Sequence, residues 1–145
     1  MFAARCIYCI HCISHFIVYV VGTRVELPQF EVIDLGTDTE QSVHYPVFGK
    51  KIAIEVLKTK SRGIALCGSG IGISIQVNRY KGIRGGLCND VDDARMTKLH
   101  NNAHILCLSG RKHSDKLIKD MVDTWLTTEF EGGRHQSRID MLDRE

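Results

Sequence analysis

The sequence predicts an α/β fold in three layers, a mainly parallel sheet with helices on both faces. Two observations carry this. From residue 30 to 127, short apolar runs alternate with amphipathic stretches, the later runs recurring roughly every twenty residues, as in βαβ units. One of the runs opens into "CGSGIG" at 67–72, a glycine turn of the kind that joins a strand to a helix. A chain of 145 residues is long enough to bury one core without cross-links.

Taken in order, the chain starts with "RCIYCIHCISHFIVYVVG" (5–22), apolar except where His11 and His15 interrupt it. This is at the short edge of a membrane span, roughly 17 residues, and too histidine-rich for a signal-peptide core. Cys6, Cys9 and Cys12 have a spacing used for iron–sulfur ligation, but the fourth ligand and following proline are absent. Zinc would have only His11 and His15 as further local ligands. The plainest reading of this stretch is apolar filler, ahead of membrane contact or metal binding.

"FEVIDLG" (30–36) reads as a strand, and "TDTEQSVHYP" (37–46) as a turn region. Residues 47–60 place Val47, Ile52, Val56 and Leu57 near helical spacing, with lysines on the other face. "GIALC" (63–67) is a buried strand and "GISIQVNRY" (72–80) the helix that follows the glycine turn. "IRGGLC" (83–88) is the next strand, and Asp90 is placed to cap a helix after it. "AHILCLSG" (103–110) is another strand. Residues 114–127 form a helix whose Leu117, Ile118, Met121, Val122 and Trp125 face inward.

Net charge is only +2, so no broad basic field points to nucleic acid. Cys67, Cys88 and Cys107 sit in or at the ends of strand-like runs, where free cysteine behaves as a small hydrophobe. That usage predicts a reducing, cytoplasmic compartment.

Parallel sheets bind ligands beyond the carboxyl ends of their strands. Those ends carry residues 67–72, 89–93 and 110–111. In the first of them Gly68, Gly70 and Gly72 alternate, which lets backbone N–H groups share a concavity in front of a helix tip. Such a cradle suits a phosphate or a developing oxyanion. Cys67 stands at its mouth, where a helix N-terminus favours the thiolate, a species that serves as nucleophile, metal ligand or general base. A buried strand-end cysteine is the bland alternative.

The turn also resembles a dinucleotide fingerprint, with Asp90, Asp92 and Asp93 about twenty residues on. The spacing is G-x-G-x-G instead, and no second half is present to hold a nicotinamide. His100 is a candidate proton shuttle. Arg134 and Arg138, four apart, share a face if their segment is helical and would clamp a phosphate there; a solvated surface pair is the bland reading.

In combination, "RGIALCGSGIGISIQVN" (62–78), "KGIRGGLCND" (81–90), "ARMTKLHNNAHILCLSGR" (94–111) and "DTWLTTEFEGGRHQSRID" (123–140) resemble the type B ribose-5-phosphate isomerases. Their wider family includes galactose-6-phosphate and allose-6-phosphate isomerases. The resemblance runs from about Phe30 to Asp140, and "VIDLGT" and "SVHYP" fit it too, with His44 where the family usually has Asp. It implies a Rossmann-like three-layer domain that interconverts ribose 5-phosphate and ribulose 5-phosphate through a cis-enediolate, a step of the pentose phosphate pathway.

Some members use a glutamate base shortly after the glycine loop. Ile73 stands at that position here, so the resemblance assigns the base to Cys67, with Ser69 orienting it and Gly68, Gly70 and Gly72 stabilising charge on the substrate. By the same implication His100 opens the furanose ring and Asn101 holds a sugar oxygen. Arg111, Arg134 and Arg138 bind phosphate, and Tyr45 lines the sugar pocket. A cytoplasmic homodimer with a shared site is implied, with no metal or organic cofactor.

The family's first strand ends in a Gly-Cys-Asp-His-like motif that this chain does not contain. "FIVYVV" (16–21) imitates the strand, but few residues separate it from Phe30, whereas parallel crossovers take about ten to twelve or more. The expectation is therefore a first strand missing or replaced, with an atypical segment at 1–29 and the sugar-phosphate isomerase domain at 30–145. The alternative function is a catalytically impaired sugar-phosphate or nucleotide binding module of the same fold.

Overall fold

The computed structural model describes residues 17–21, 27, 30–37, 39 and 41–144. The strand β3 (Arg62–Cys67) is its spine, with Gly63 to Leu66 all buried, as a strand covered on both faces must be. Five strands align in the order β2 (Glu31–Asp34), β1 (Ile17–Val21), β3, β5 (Ile105–Ser109), β4 (Gly85–Leu87). Every neighbouring pair is parallel. Five helices accompany them: α1 (Tyr45–Thr59), α2 (Ile71–Val77), α3 (Val91–Leu99), α4 (Asp115–Thr127) and α5 (Arg134–Ile139). The three-layer α/β/α architecture expected from the sequence is the one observed.

Successive side chains on a strand point to opposite faces, and β3 and β5 sort their residues accordingly. Ala65, Ile105 and Cys107 pack with Ile52, Ala53 and Val56 of α1 and Ile73 and Val77 of α2. On the other face Ile64, Leu66, Leu106 and Leu108 meet Ile118, Met121, Val122 and Trp125 of α4, together with Ala94 of α3 and Leu27. The caps follow the sequence signals. Asp90 Oδ1 accepts from Asp93 N at 2.8 Å, and Asp93 Oδ2 accepts from Asn89 N at 3.0 Å. Ser114 caps α4 by accepting from Leu117 N.

Three expectations need correction. The inward stripe of α1 is Gly49, Ile52, Ala53 and Val56, while Val47 and Leu57 are 52% and 41% exposed. The stripe includes Gly49 because α2 crosses there: a Cβ on Gly49 would lie 2.7 Å from Gln76 Cγ. Second, the helix expected at 72–80 ends at Val77, where Asn78 turns its side chain to bond Ser74 O and both Gly85 N and Gly85 O. Those bonds tie α2 to β4.

Third, of the two outcomes expected for the first strand, missing or replaced, only the first is overturned, since its place is filled. Residues 17–21 form β1 between β2 and β3, with Val18 opposite both Val32 and Arg62. The chain between β1 and β2, residues 22–30, is shorter than a helical crossover. Nine residues nevertheless reach up to about 30 Å, while a five-residue strand is about 17 Å long, so the chain is long enough to return to the start of β2. The cysteines and histidines at positions 6, 9, 11, 12 and 15 lie outside the described residues. Among the described residues no helix is long and apolar enough to cross a membrane.

At the amino ends of β4 and β5 the chain is locked by Arg84 and His104. Arg84 N donates to His104 Nδ1 at 3.2 Å and the guanidinium meets Nε2 at 3.1 Å. Either neutral tautomer satisfies one of these donors and an imidazolium satisfies neither. Burial first, then Arg84 and Lys98, push His104 down from 6.5 to about 4.

Two outcomes are expected. Ile52→Ala lowers the urea-unfolding free energy by about 2–5 kcal/mol, because a fully buried side chain leaves a cavity between α1 and the sheet. For His104, the unfolded chain binds the extra proton between pH 6.5 and about 4, so stability held above 6.5 declines as pH falls through that window. Urea midpoints recorded across it flatten in His104→Asn.

Candidate active site

The last rung of the β3–β5 pair sets Cys67 opposite Ser109. Beyond it both strands turn, and backbone bonds hold the turns together. Gly110 N donates to Cys67 O at 2.9 Å and Arg111 N to Gly68 O at 3.2 Å. The buried Ser109 hydroxyl donates to Gly68 O at 2.8 Å and accepts from Lys112 N at 3.1 Å. His113 Nδ1 in turn accepts from Ser109 N.

Inside this frame the loop 68–70 folds back over the cysteine. Gly70 N–H points at Cys67 Sγ, 3.2 Å away. Gly70 takes φ +78°, and a Cβ there would stand 2.7 Å from Leu87 Cδ1 and 2.9 Å from the Leu108 backbone carbon. Only glycine meets both demands. Ser69 Oγ accepts from Ile71 N at 3.2 Å, and Gly70 O accepts from Ser74 N in the first turn of α2.

Two further side chains close over the loop. A Cβ on Gly68 would lie 3.0 Å from the Arg111 guanidinium carbon, and one on Gly72 2.7 Å from Tyr45 Cζ. The bare glycine faces thus admit a cation and a phenol ring directly above the backbone. Cys67, Ser69, Gly68, Gly70, Gly72 and Arg111 therefore come together at the carboxyl end of β3, where the topology rule placed them, and Tyr45, which only the family resemblance singled out, joins them.

Cys67 is chemically distinct from the other described thiols. All three described cysteines are free, but Cys88 and Cys107 are buried. Burial, then Asp93 and Asp90, push the Cys88 thiol up to about 12, and burial pushes Cys107 up as well. These two stay protonated. Cys67 is partly exposed and has a backbone donor at its sulfur. The acids at 90 and 93 are engaged in capping α3.

His100, Asn101, Arg134 and Arg138 form a separate group. The nine-residue α3 runs back from the carboxyl end of β4 for about 13 Å, which puts His100 beside the amino ends of the strands. Arg84 holds this bend by donating to Asn101 O and Asn102 O at 2.8 and 3.2 Å. A cavity of about 320 Å³ opens there, lined in part by Arg84, Thr97, Asn101 and Asp143.

Glu131 N donates to Leu99 O, which brings the "EGGRH" segment onto the end of α3. The His100 and His135 rings stack at 4.1 Å with 9° between their planes, and each Nε2 is 3.5 Å from Glu131 Oε2. Burial, then His100 and Arg134, hold His135 below its ordinary value. Arg134 and Arg138 are exposed on α5, which is helical as their spacing required. Within one chain the two groups lie at opposite ends of the sheet.

Sequence reasoning passed over Ser109, Glu131 and His135. Ser109 had only its place at a strand end to mark it. Glu131 and His135 stood in the quoted arginine segment, but their role depends on a bond to Leu99 that spacing does not announce.

A model of the ribose/galactose isomerase family matches residues 15–142. The chain is 37% identical to ribose-5-phosphate isomerase B of Escherichia coli over 113 residues, 77% of this chain and 76% of that protein. Among solved structures, a ribose 5-phosphate isomerase of Thermotoga maritima superimposes with a TM-score of 0.82 at 39% identity, covering 90% of this chain and 99% of that one. Ribose-5-phosphate isomerase B of Mycoplasma genitalium, solved with bound ribulose-5-phosphate, gives 0.84 at 33% identity, covering 89% and 95%.

Gly70→Ala is expected to cost roughly 2–4 kcal/mol, from a strained backbone and overpacking against Leu108. Gly132→Ala shares the positive φ but has open space around the Cβ, so only the strain of about 1–2 kcal/mol applies. Parallel urea titrations of the two variants measure the difference.

Proposed function

This chain belongs to the ribose/galactose isomerase family, and from that premise we propose that it is a sugar-phosphate isomerase interconverting ribose 5-phosphate and ribulose 5-phosphate. The observation that carries the reading is the amide of Gly70 aimed at Cys67 Sγ, in a loop whose Gly68 is covered by the Arg111 guanidinium. A sulfur anion held by a backbone donor is a base that needs no reorganisation when a substrate carbon arrives.

The proposed sequence conserves atoms. Cys67 thiolate removes the proton from C2 of the open-chain aldose phosphate, leaving a cis-enediolate. The resulting thiol returns that proton to C1 while the hydroxyl proton of O2 passes to O1, giving the ketose phosphate. The glycine loop stabilises the charge that appears on the substrate oxygen, and Ser69 orients it. Arg111 holds the phosphate, and Tyr45 lines the sugar pocket.

His100 acts before this as the acid–base group that opens the furanose ring, while Asn101 holds a sugar oxygen. Because these residues and the arginines of α5 lie at the other end of the sheet from Cys67, the reading requires a homodimer. The His100 group of one protomer then completes the Cys67 pocket of its partner. The proposed isomerase domain is residues 30–145 together with β1, whose pairing with β2 and β3 carries it back to residue 17, and the proposed compartment is the cytoplasm.

One observation favours a second reading, a sugar-phosphate binding module with impaired turnover. β1 pairs directly with the central strand β3, yet the sequence after it is Gly22-Thr23-Arg24, with no Asp-His pair. Phosphate binding with no turnover of ribose 5-phosphate would select this reading.

Cys67→Ala and His100→Ala should each lower kcat for ribose 5-phosphate by at least about 100-fold, the lower end of what a positioned acid–base group contributes. Mixed after co-refolding, the two inactive variants should regain about a quarter of wild-type activity, since half the dimers are mixed and each has one intact site. No recovery alongside demonstrated mixed dimers would sink the shared site.

A further inference from the structure

We propose that His100, Glu131 and His135 form a binding site for one divalent transition-metal ion of the zinc class, and that occupancy inhibits the enzyme by capturing the Nε2 of His100. The inhibitory part rests on the ring-opening role proposed for His100; the metal site does not.

The donor set is built in the described chain. The ligand atoms of the three residues all lie within 4.8 Å of one another. Both Nε2 atoms face the same Glu131 oxygen at 3.5 Å, longer than a well-formed hydrogen bond. In a tetrahedral site with bonds of about 2.1 Å, neighbouring ligand atoms stand about 3.4 Å apart. The two separations from Glu131 are thus those of ligands around an ion, and the two imidazole donors, within 4.8 Å of each other, close to that spacing by a small tilt. Two imidazoles and a carboxylate form a three-ligand set with a fourth position for water, and imidazole suits zinc, nickel, cobalt and copper over the harder alkaline-earth cations.

Two anchors fix the set. Glu131 N bonds to Leu99 O, next to His100. The His135 side chain is 6% exposed, while His100 at 33% and Glu131 at 57% have room to move. That room matters, because the rings are nearly parallel and must tilt for both lone pairs to converge on one ion. Arg134 opposes binding: its Nε approaches His135 Nε2 at 3.5 Å and has to withdraw. An ion bound here uses the Nε2 lone pair of His100, so that nitrogen no longer accepts or delivers a proton.

The test uses the full, reduced chain titrated with Co²⁺ and with Zn²⁺, followed by calorimetry and visible absorption. Wild type should bind one more equivalent than Glu131→Gln and His135→Gln, and the cobalt bands of that equivalent should lack thiolate charge-transfer intensity. Since His135 is buried, the exposed Glu131→Gln variant keeps the test decisive if His135→Gln misfolds. Zn²⁺ should also inhibit ribose 5-phosphate turnover reversibly with chelator, at concentrations at least 10-fold lower in wild type than in Glu131→Gln. Equal stoichiometry and affinity in wild type and Glu131→Gln would overturn the metal site. Binding without inhibition would overturn the inhibitory role. A chain that turns over no sugar phosphate would fail the isomerase reading, while the binding data still decide the site.

Discussion

The pairing of β3 with β5 is the constraint on which the site depends. It sets Cys67 level with Ser109 and lets the turns after the two strands bond to each other through Cys67 O and Gly68 O. The loop is therefore braced from outside before any ligand is present. Its internal bond, Gly70 N–H to Cys67 Sγ, is a consequence of that bracing and of a glycine that can take φ +78° against Leu108. Preorganised donors are worth more than flexible ones because no reorganisation is needed during the reaction.

Burial gives three cysteines with different chemistry. Cys88 and Cys107 sit in the core, where desolvation disfavours the thiolate, and they serve as packing. Cys67 terminates β3, where the strand leaves the core and meets an amide. A residue's place along a strand thus separates a core filler from a thiol at the surface of the loop.

The opposite end of the sheet is rich in cations. Lys98 is buried, bonds to Asn102 Oδ1 at 2.8 Å, and is pushed down to about 8 by burial, Arg62 and Arg84. Lys98 and Arg62 both stand 6.0 Å from the ring of the fully buried Trp125. This cluster holds the bend after α3 and so fixes where His100 emerges. The separation of His100 from Cys67 is a property of α3's length and direction, and it is why a shared site is the economical reading of the two groups.

What the sequence determined by itself is whatever local periodicity and backbone chemistry encode. The alternating strands β3 and β5, the inward face of α4, the Asp90 cap and the glycine turn after Cys67 all rest on neighbours within a few residues, and all were legible. What only the tertiary structure decided involves distant partners. The face α1 buries depends on Gln76 crossing at Gly49, and the admission of residues 17–21 to the sheet depends on edges offered by β2 and β3. The meeting of His100 with Glu131 and His135 depends on a backbone bond between Leu99 and Glu131. Hydrogen bonds and contacts between segments far apart in the chain leave no periodic trace in the residues that make them.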